Sequence, residues 1–484
     1  MRLNLVTASA VAIAAAMSHH AAVAAEVSEQ GAKQLQGSLT KMLPPKVVEG
    51  GVVAVTPQSD KYQILFDLPK LIGLYDTPNF SLKQITPMTL FAKPADGGLW
   101  RVEGTNDFAV STTGKEPDGK EASFSYSIAK VAYAGLFDPA ISYFRSADFT
   151  SGAGSLSAHG GSEQVDASFS GVNYTLSSVA GAAANTMDFR GSGSILNFNE
   201  KITAPQSPFE FSADRLNIDA GAAGINPQKL RDLFLFITDN VGAEKLPPAE
   251  IDKLKGLVRS ALPFFTSFDE KIDIENAKVS TDQGDVAAKS MSYDMAVSGP
   301  MQATEVSFGI GAKDLALAPG MVPPLYASLV PTMADIHVAV PNLNLQAPLD
   351  VLLNADYSKE QPISPDETAA LGMSVFPGGA YTVNIPKSLM AAPAYDLEIS
   401  GKVRGSLMQP DRAAVDAVIL ARDFDKTMQF VQDLGKQDPQ VMQMFLAMTM
   451  IKGLAKTDTD GRQRWEISVD QNRKVKINGN LLPF

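Results

Sequence analysis

Four histidines and no cysteine set narrow limits on the chemistry open to this chain of 484 residues. Without thiols there is no disulfide framework, no thiolate metal site and no cysteine nucleophile. His19 and His20 fall in an N-terminal apolar stretch, so an imidazole-dependent metal site or triad would rest on His159 or His337. His337 lies in the alternating segment Ala334–Val340, on the side opposite Ile336 and Val338. That pattern predicts a solvated or structurally bonded strand histidine. His159-Gly160-Gly161-Ser162 is similar to the oxyanion loop of lipases, but no Gly-x-Ser-x-Gly elbow supplies a nucleophile. It reads as a turn.

The other motifs also fail on their chemistry. Ser38-Leu39-Thr40-Lys41 and Ser127-Ile128-Ala129-Lys130 have the Ser-x-x-Lys spacing that sets a lysine beside a nucleophile on one helix face. The spacing arises readily by chance, the second copy lies in a strand pattern, and no Lys-Thr-Gly or Ser-Asp-Asn partner is present. Asp458-Thr459-Asp460-Gly461 resembles part of a calcium loop. Its register, however, puts Lys456 at the first ligand position and Ile467 at the bidentate glutamate position. No Gly-Lys pair continues into Ser or Thr, so there is no phosphate-binding loop. Two carboxylates could still converge in space, as in a glycosidase, and a carboxylate-based hydrolase stands as the most remote alternative. No catalytic, cofactor-binding or metal residue is assigned.

Two apolar helix faces remain as candidate ligand or core surfaces. In the first, Leu230, Leu233, Phe234 and Ile237 recur at helical spacing after Asn226-Pro227, a good cap and first-turn dipeptide. The second contains Met444, Phe445 and Met448 in a methionine-rich tract, Met442 to Ile451, that is apolar almost all round and should be covered by protein or ligand.

The elements that position these residues follow from periodicity. Arg2, the apolar run Leu5–Met17 and the small residues Ala22–Ala25 read as a cleavable export signal over residues 1–25, too short for a membrane span. Ser28–Leu43 reads as an amphipathic helix with Ala32, Leu35, Leu39 and Met42 on one side, stopped by Pro44-Pro45. Together with an antiparallel meander to residue 218 it forms the segment 26–218. Residues 219–340 carry a helical pair and further strands. Residues 341–484 carry a segment over 360–390 that its prolines mark as loop-rich, a second helical pair and closing strands. The two helical pairs suggest a distant internal repeat. So do Asp96-Gly97 before Trp100 and Asp460-Gly461 before Trp465, the chain's two tryptophans. The formal net charge of −12 opposes nucleic-acid binding and favours solubility. The terminal aromatic Phe484 invites an outer-membrane barrel reading, which Pro483, Asn478 and Asn480 oppose.

The ending Trp465-Glu466-Ile467-Ser468-Val469, then Val475-Lys476-Ile477-Asn478-Gly479, together with the β-rich layout after a signal, resembles exported AsmA-like or YdgA-like proteins of Gram-negative bacteria. The resemblance implies an envelope role, in some relatives lipid handling, and supplies no catalytic motif. AsmA-like proteins usually keep an N-terminal anchor, so a cleavable signal would be a departure. The expectation is an α+β, β-dominated periplasmic protein with long curved antiparallel sheets and helices packed on one face. Its expected role is non-enzymatic: to hold a lipid or other apolar ligand between sheet and helices. The alternative is a structural or partner-binding envelope protein without a ligand cavity. Oligomeric state is unspecified, and no cofactor is expected.

Overall fold

The computed structural model describes residues 27–74, 80–115, 119–204, 208–240, 243, 245–359, 361–436 and 439–482. The expected signal, Pro483 and Phe484 lie outside them. The fold is α+β, dominated by antiparallel strands, and divides into two compact units between Phe268 and Asp269. That boundary falls inside the segment 219–340 drawn from the sequence.

The first unit opens with α1 (Glu29–Thr40), α2 (Pro45–Glu49), β1 (Val53–Pro57), β2 (Tyr62–Phe66) and α3 (Leu68–Gly73). Ser28 caps α1, its hydroxyl accepting from Gly31 N–H at 3.1 Å. Ala32, Leu35, Leu39 and Met42, the four residues expected on one side, are all buried. The strands continue as β3 (Phe80–Ile85), β4 (Met88–Ala95), β5 (Leu99–Lys115), β6 (Glu121–Asp138), β7 (Tyr143–Ser151), β8 (Gly154–Gly160), β9 (Glu163–Phe169), β10 (Gly171–Ala180), β11 (Met187–Thr203) and β12 (Phe209–Ile225). The long strands β6 and β11 are joined by two bridges side by side: β7 with β10 spans one half, β8 with β9 the other. α4 (Pro227–Asp239) and α5 (Pro248–Ala261) follow. Asn226 caps α4 by accepting from Lys229 N–H, as its Asn-Pro start predicts.

Alternation gives this sheet two unlike sides. One cross-strand row runs Thr112, Phe124, Ala158, Val165, Ile202 and Phe209. The adjacent row on the other side runs Ser111, Ser125, Ser157, Asp166, Lys201 and Glu210. α1 packs over one end of the apolar side, where Leu35, Tyr62, Ile64, Trp100, Val102 and Phe137 form the core. Tyr62 and Trp100 meet edge to face at 5.4 Å. Tyr143 packs against Phe189, and burial pushes its hydroxyl up to about 12.

The second unit contains β13 (Ser267–Thr281), β14 (Gly284–Ser298), β15 (Thr304–Lys313), β16 (Ala316–Leu317), β17 (Met333–Leu343), α6 (Gln346–Asn354), α7 (Pro365–Ser374), β18 (Ala380–Ala392), β19 (Tyr395–Ser406), β20 (Gln409–Arg422), α8 (Phe424–Gly435), α9 (Pro439–Gly453), β21 (Lys456–Thr457), β22 (Gln463–Val469), β23 (Val475–Ile477) and β24 (Asn480–Leu481). Antiparallel pairing runs β14–β15–β17–β18–β19–β20–β22–β23–β24. The expected loop at 360–390 is corrected here: it holds α7 and the start of β18. Ser364 and Glu367 form a reciprocal capping box around Pro365 in the first turn, so this proline starts a helix. Pro386 sits where the β18–β19 register shifts, a bulge that spares the ladder a missing donor.

Ile64 in the first core is 0% exposed, whereas Ile310 on β15 is 58% exposed. Ile64→Ala should therefore cost about 2–5 kcal/mol, read as a lower urea midpoint. Ile310→Ala should stay within about 0.5 kcal/mol of the parent. Equal losses would contradict the burial assigned to these two positions.

Candidate functional site

In the second unit the alternation leaves an apolar surface partly uncovered. Four registered rows lie on one side of three strands: Met291–Ala312–Ala334, Tyr293–Ile310–Ile336, Met295–Phe308–Val338 and Val297–Val306–Val340. Met291, Phe308, Ile310 and Ile336 are each exposed, from 38% for Met291 to 58% for Ile310. Scattered apolar side chains at a surface need no explanation, but this set is contiguous and carries no charge.

The same side continues along the sheet. The first row extends through Met390 and Leu397 to Ala421. There it enters the second core, where Ala421, Phe424, Met428, Trp465 and Ile477 are buried, and where Phe445 and Met448 of α9 pack. Trp465 meets Phe424 edge to face at 4.9 Å and donates its indole N–H to Ile451 O at 2.8 Å. One apolar side therefore has two conditions: α8 and α9 cover it at β19–β23, and it lies open at β14–β15–β17.

The candidate helix residues divide in a similar way. Phe445 and Met448 face the core, while Met444 is 52% exposed on the outer side of α9, beside exposed Leu446 and Met450. On α4, Leu230 and Leu233 are half-buried, Phe234 and Ile237 are half-exposed, and the buried residue is Phe236. The apolar arc of α4 is wide, and its protected side is rotated from the expected stripe toward Phe236. The Lys253 ammonium of α5 stands 5.2 Å from the Phe236 ring centre.

The reverse side of β14–β15–β17 is polar and tightly built. Asp294, Gly309 and His337 occupy one row; Ser292, Gly311 and Asp335 occupy the next. His337 Nε2 lies 2.9 Å from Asp335 Oδ1, and Nδ1 lies 3.7 Å from Asp294 Oδ2. A Cβ at Gly309 would stand 2.0 Å from Asp294 Oδ2 and 2.5 Å from His337 Nδ1, so the missing side chain is what lets these groups approach. The expected bonded strand histidine is thus observed. Further along this side, Arg462 donates to Glu398 at 2.7 Å and holds that carboxyl below its usual range, with Lys387 at 3.1 Å. His159 bonds Ser157 at 3.2 Å on the polar side of the first unit.

Among the described residues, no group of three or more His, Asp or Glu side chains is placed to hold a metal ion. No described helix is long and apolar enough to cross a membrane. A shallow pocket of about 280 Å³, lined by Asp350, Val351, Asn354, Ile363 and Glu367, is largely polar, and Glu367 is engaged in capping α7. No family model, curated protein or solved structure matches the chain.

Helical spacing points to faces of α4 and α9 and not to Phe308, Ile310 and Ile336. Their signal was present as alternation, but alternation names two sides without saying which length of each a helix covers. Phe308→Ser with Ile310→Ser should lower fluorescence of a surface-binding hydrophobic dye while leaving the unfolding midpoint nearly unchanged. Undiminished dye binding would place the accessible apolar surface elsewhere.

Proposed function

We propose that the protein is a non-enzymatic envelope protein that holds a lipid acyl chain against the open apolar side of β14, β15 and β17. The observation that carries this reading is the contiguous exposure of Met291, Phe308, Ile310 and Ile336 on strands whose other side is Ser, Asp and His. Dimensions support it. From Met291 to Val297 the strand advances about 20 Å. One leaflet of a bilayer whose hydrocarbon core is about 30 Å thick holds chains of about 15 Å, so a single tail fits along the rows. Burying such a tail against these side chains would gain about 25 cal/mol per Å² of apolar surface withdrawn from water. The ligand would lie on the open sheet beside α8 and α9 and not, as expected, between sheet and helices, and an open apolar patch without a cavity is also the surface that the partner-binding alternative calls for.

The export signal expected over residues 1–25 agrees with this role, since such a chain would meet lipid in the envelope. The test is to purify the chain natively from the periplasm and analyse organic extracts by mass spectrometry. Lipid should co-purify with the parent at near one equivalent and fall several-fold in Phe308→Asp and Ile310→Asp, with melting unchanged. A folded parent reproducibly free of lipid, or variants that retain the parent's amount, would overturn the reading.

A further inference from the structure

The polar side of the same three strands carries a cluster with a second property. His337 sits between two carboxylates, one at each ring nitrogen: Asp335 at 2.9 Å from Nε2 and Asp294 at 3.7 Å from Nδ1. Asp335 is on the same strand, but Asp294 is two strands away, reached over Gly309. The backbone at His337 is pinned on its other edge, where its N–H donates to Ser388 Oγ of β18 at 3.0 Å. The shorter ring contact, to Asp335, lies within one strand, so the longer span to Asp294 is the one that crosses strands.

We infer that Asp294, His337 and Asp335 form a proton-operated tie that fastens β14 to β17 across β15. A protonated imidazole carries N–H on both nitrogens, bonds Asp335 at 2.9 Å and attracts the Asp294 carboxylate across 3.7 Å. A neutral ring has a single N–H, so one nitrogen must turn a lone pair toward a carboxylate, and that contact becomes repulsive. With the shorter contact kept to Asp335, the lost tie is the one to Asp294.

β15 contributes Gly309 and Gly311 at the two rows, with Lys313 two rows away from His337. β14 contributes Asp294 and Ser292. On β18, Ser388 is bonded to the His337 backbone and Leu389 stands opposite Asp335, while Lys387 pairs with Glu398 of β19. The three side chains are each about one-third to two-fifths exposed, so added salt should weaken the tie.

The tie is complete while the imidazole is charged and the carboxylates are ionised, and a rise in pH that removes the second ring proton breaks it. Phe308 and Ile310 flank Gly309, and Ile336 and Val338 flank His337. A slackened tie therefore loosens the strands that bear the open apolar rows. That regulatory consequence rests on the lipid-holding reading; the tie itself does not.

Hydrogen-exchange mass spectrometry on the lipid-free full chain, corrected for intrinsic rates, separates the two. Between about pH 7.5 and about pH 5.5, wild-type peptides from β14 and β17 should gain protection several-fold. His337→Gln and Asp294→Asn should abolish the gain, while protection around Ile64 in the first core stays unchanged and reports intact folding. An unchanged gain in either variant, or none in wild type, would overturn the inference. A protein that never carries lipid would sink the reading under Proposed function and leave this exchange result standing.

Discussion

Each unit depends on the two-sidedness that β-alternation imposes. Successive side chains point to opposite sides of a strand, so a sheet whose strands alternate apolar and polar residues has one side that water tolerates and one that must be covered. In the first unit Phe124, Val165 and Ile202 share the apolar side, while Ser125, Asp166 and Lys201 share the other. In the second, Ile310 and Ile336 share one side, and Gly309 and His337 the other. Register is set by this pattern, because a one-residue slip would turn every apolar row into solvent.

Helices meet the demand for cover only in part. α1 lies over Trp100 and Phe137, and α8 with α9 lies over Trp465 and Ala421. Each tryptophan heads a strand after an Asp-Gly turn with glycine in the left-handed region, Gly97 at φ 73° and Gly461 at φ 85°, and each ring is wedged against another aromatic where the helical cover sits. The shared device places the bulkiest side chain at the covered end, where both rings are desolvated and Trp465 also donates its indole N–H to Ile451 O. The proposed ligand site is the complement of this arrangement: apolar rows of the same sheet that the helices do not reach.

Much of the architecture was legible in the chain. The spacing of Ala32, Leu35, Leu39 and Met42 identified α1 and its buried side, and Asn226-Pro227 identified the start of α4. Over 360–390 the prolines suggest a loop, because proline lacks a donor and blocks the helical turn before it. Pro365 in a capped first turn and Pro386 at a bulge are both compatible with regular structure. The polar cluster was out of reach for a different reason. Residues 294, 309, 311, 335 and 337 come together only through the register of three strands, and the decisive member, Gly309, acts by the atoms it lacks. Likewise the methionine-rich helix announced that it needed cover, without revealing that Phe445 would face inward and Met444 outward.

The paired bridges in the first unit link distant parts of the chain. β6 and β11 never pair with each other; each is held along one edge by two separate partners, β7 and β8 on the former, β10 and β9 on the latter. Neither long strand is satisfied until both bridges are in place, because either bridge alone leaves half an edge with unpaired amides and carbonyls. Assembly of this unit is thereby made cooperative over 83 residues of sequence, from Glu121 to Thr203, and an incomplete chain would present a ready template for pairing with a neighbour.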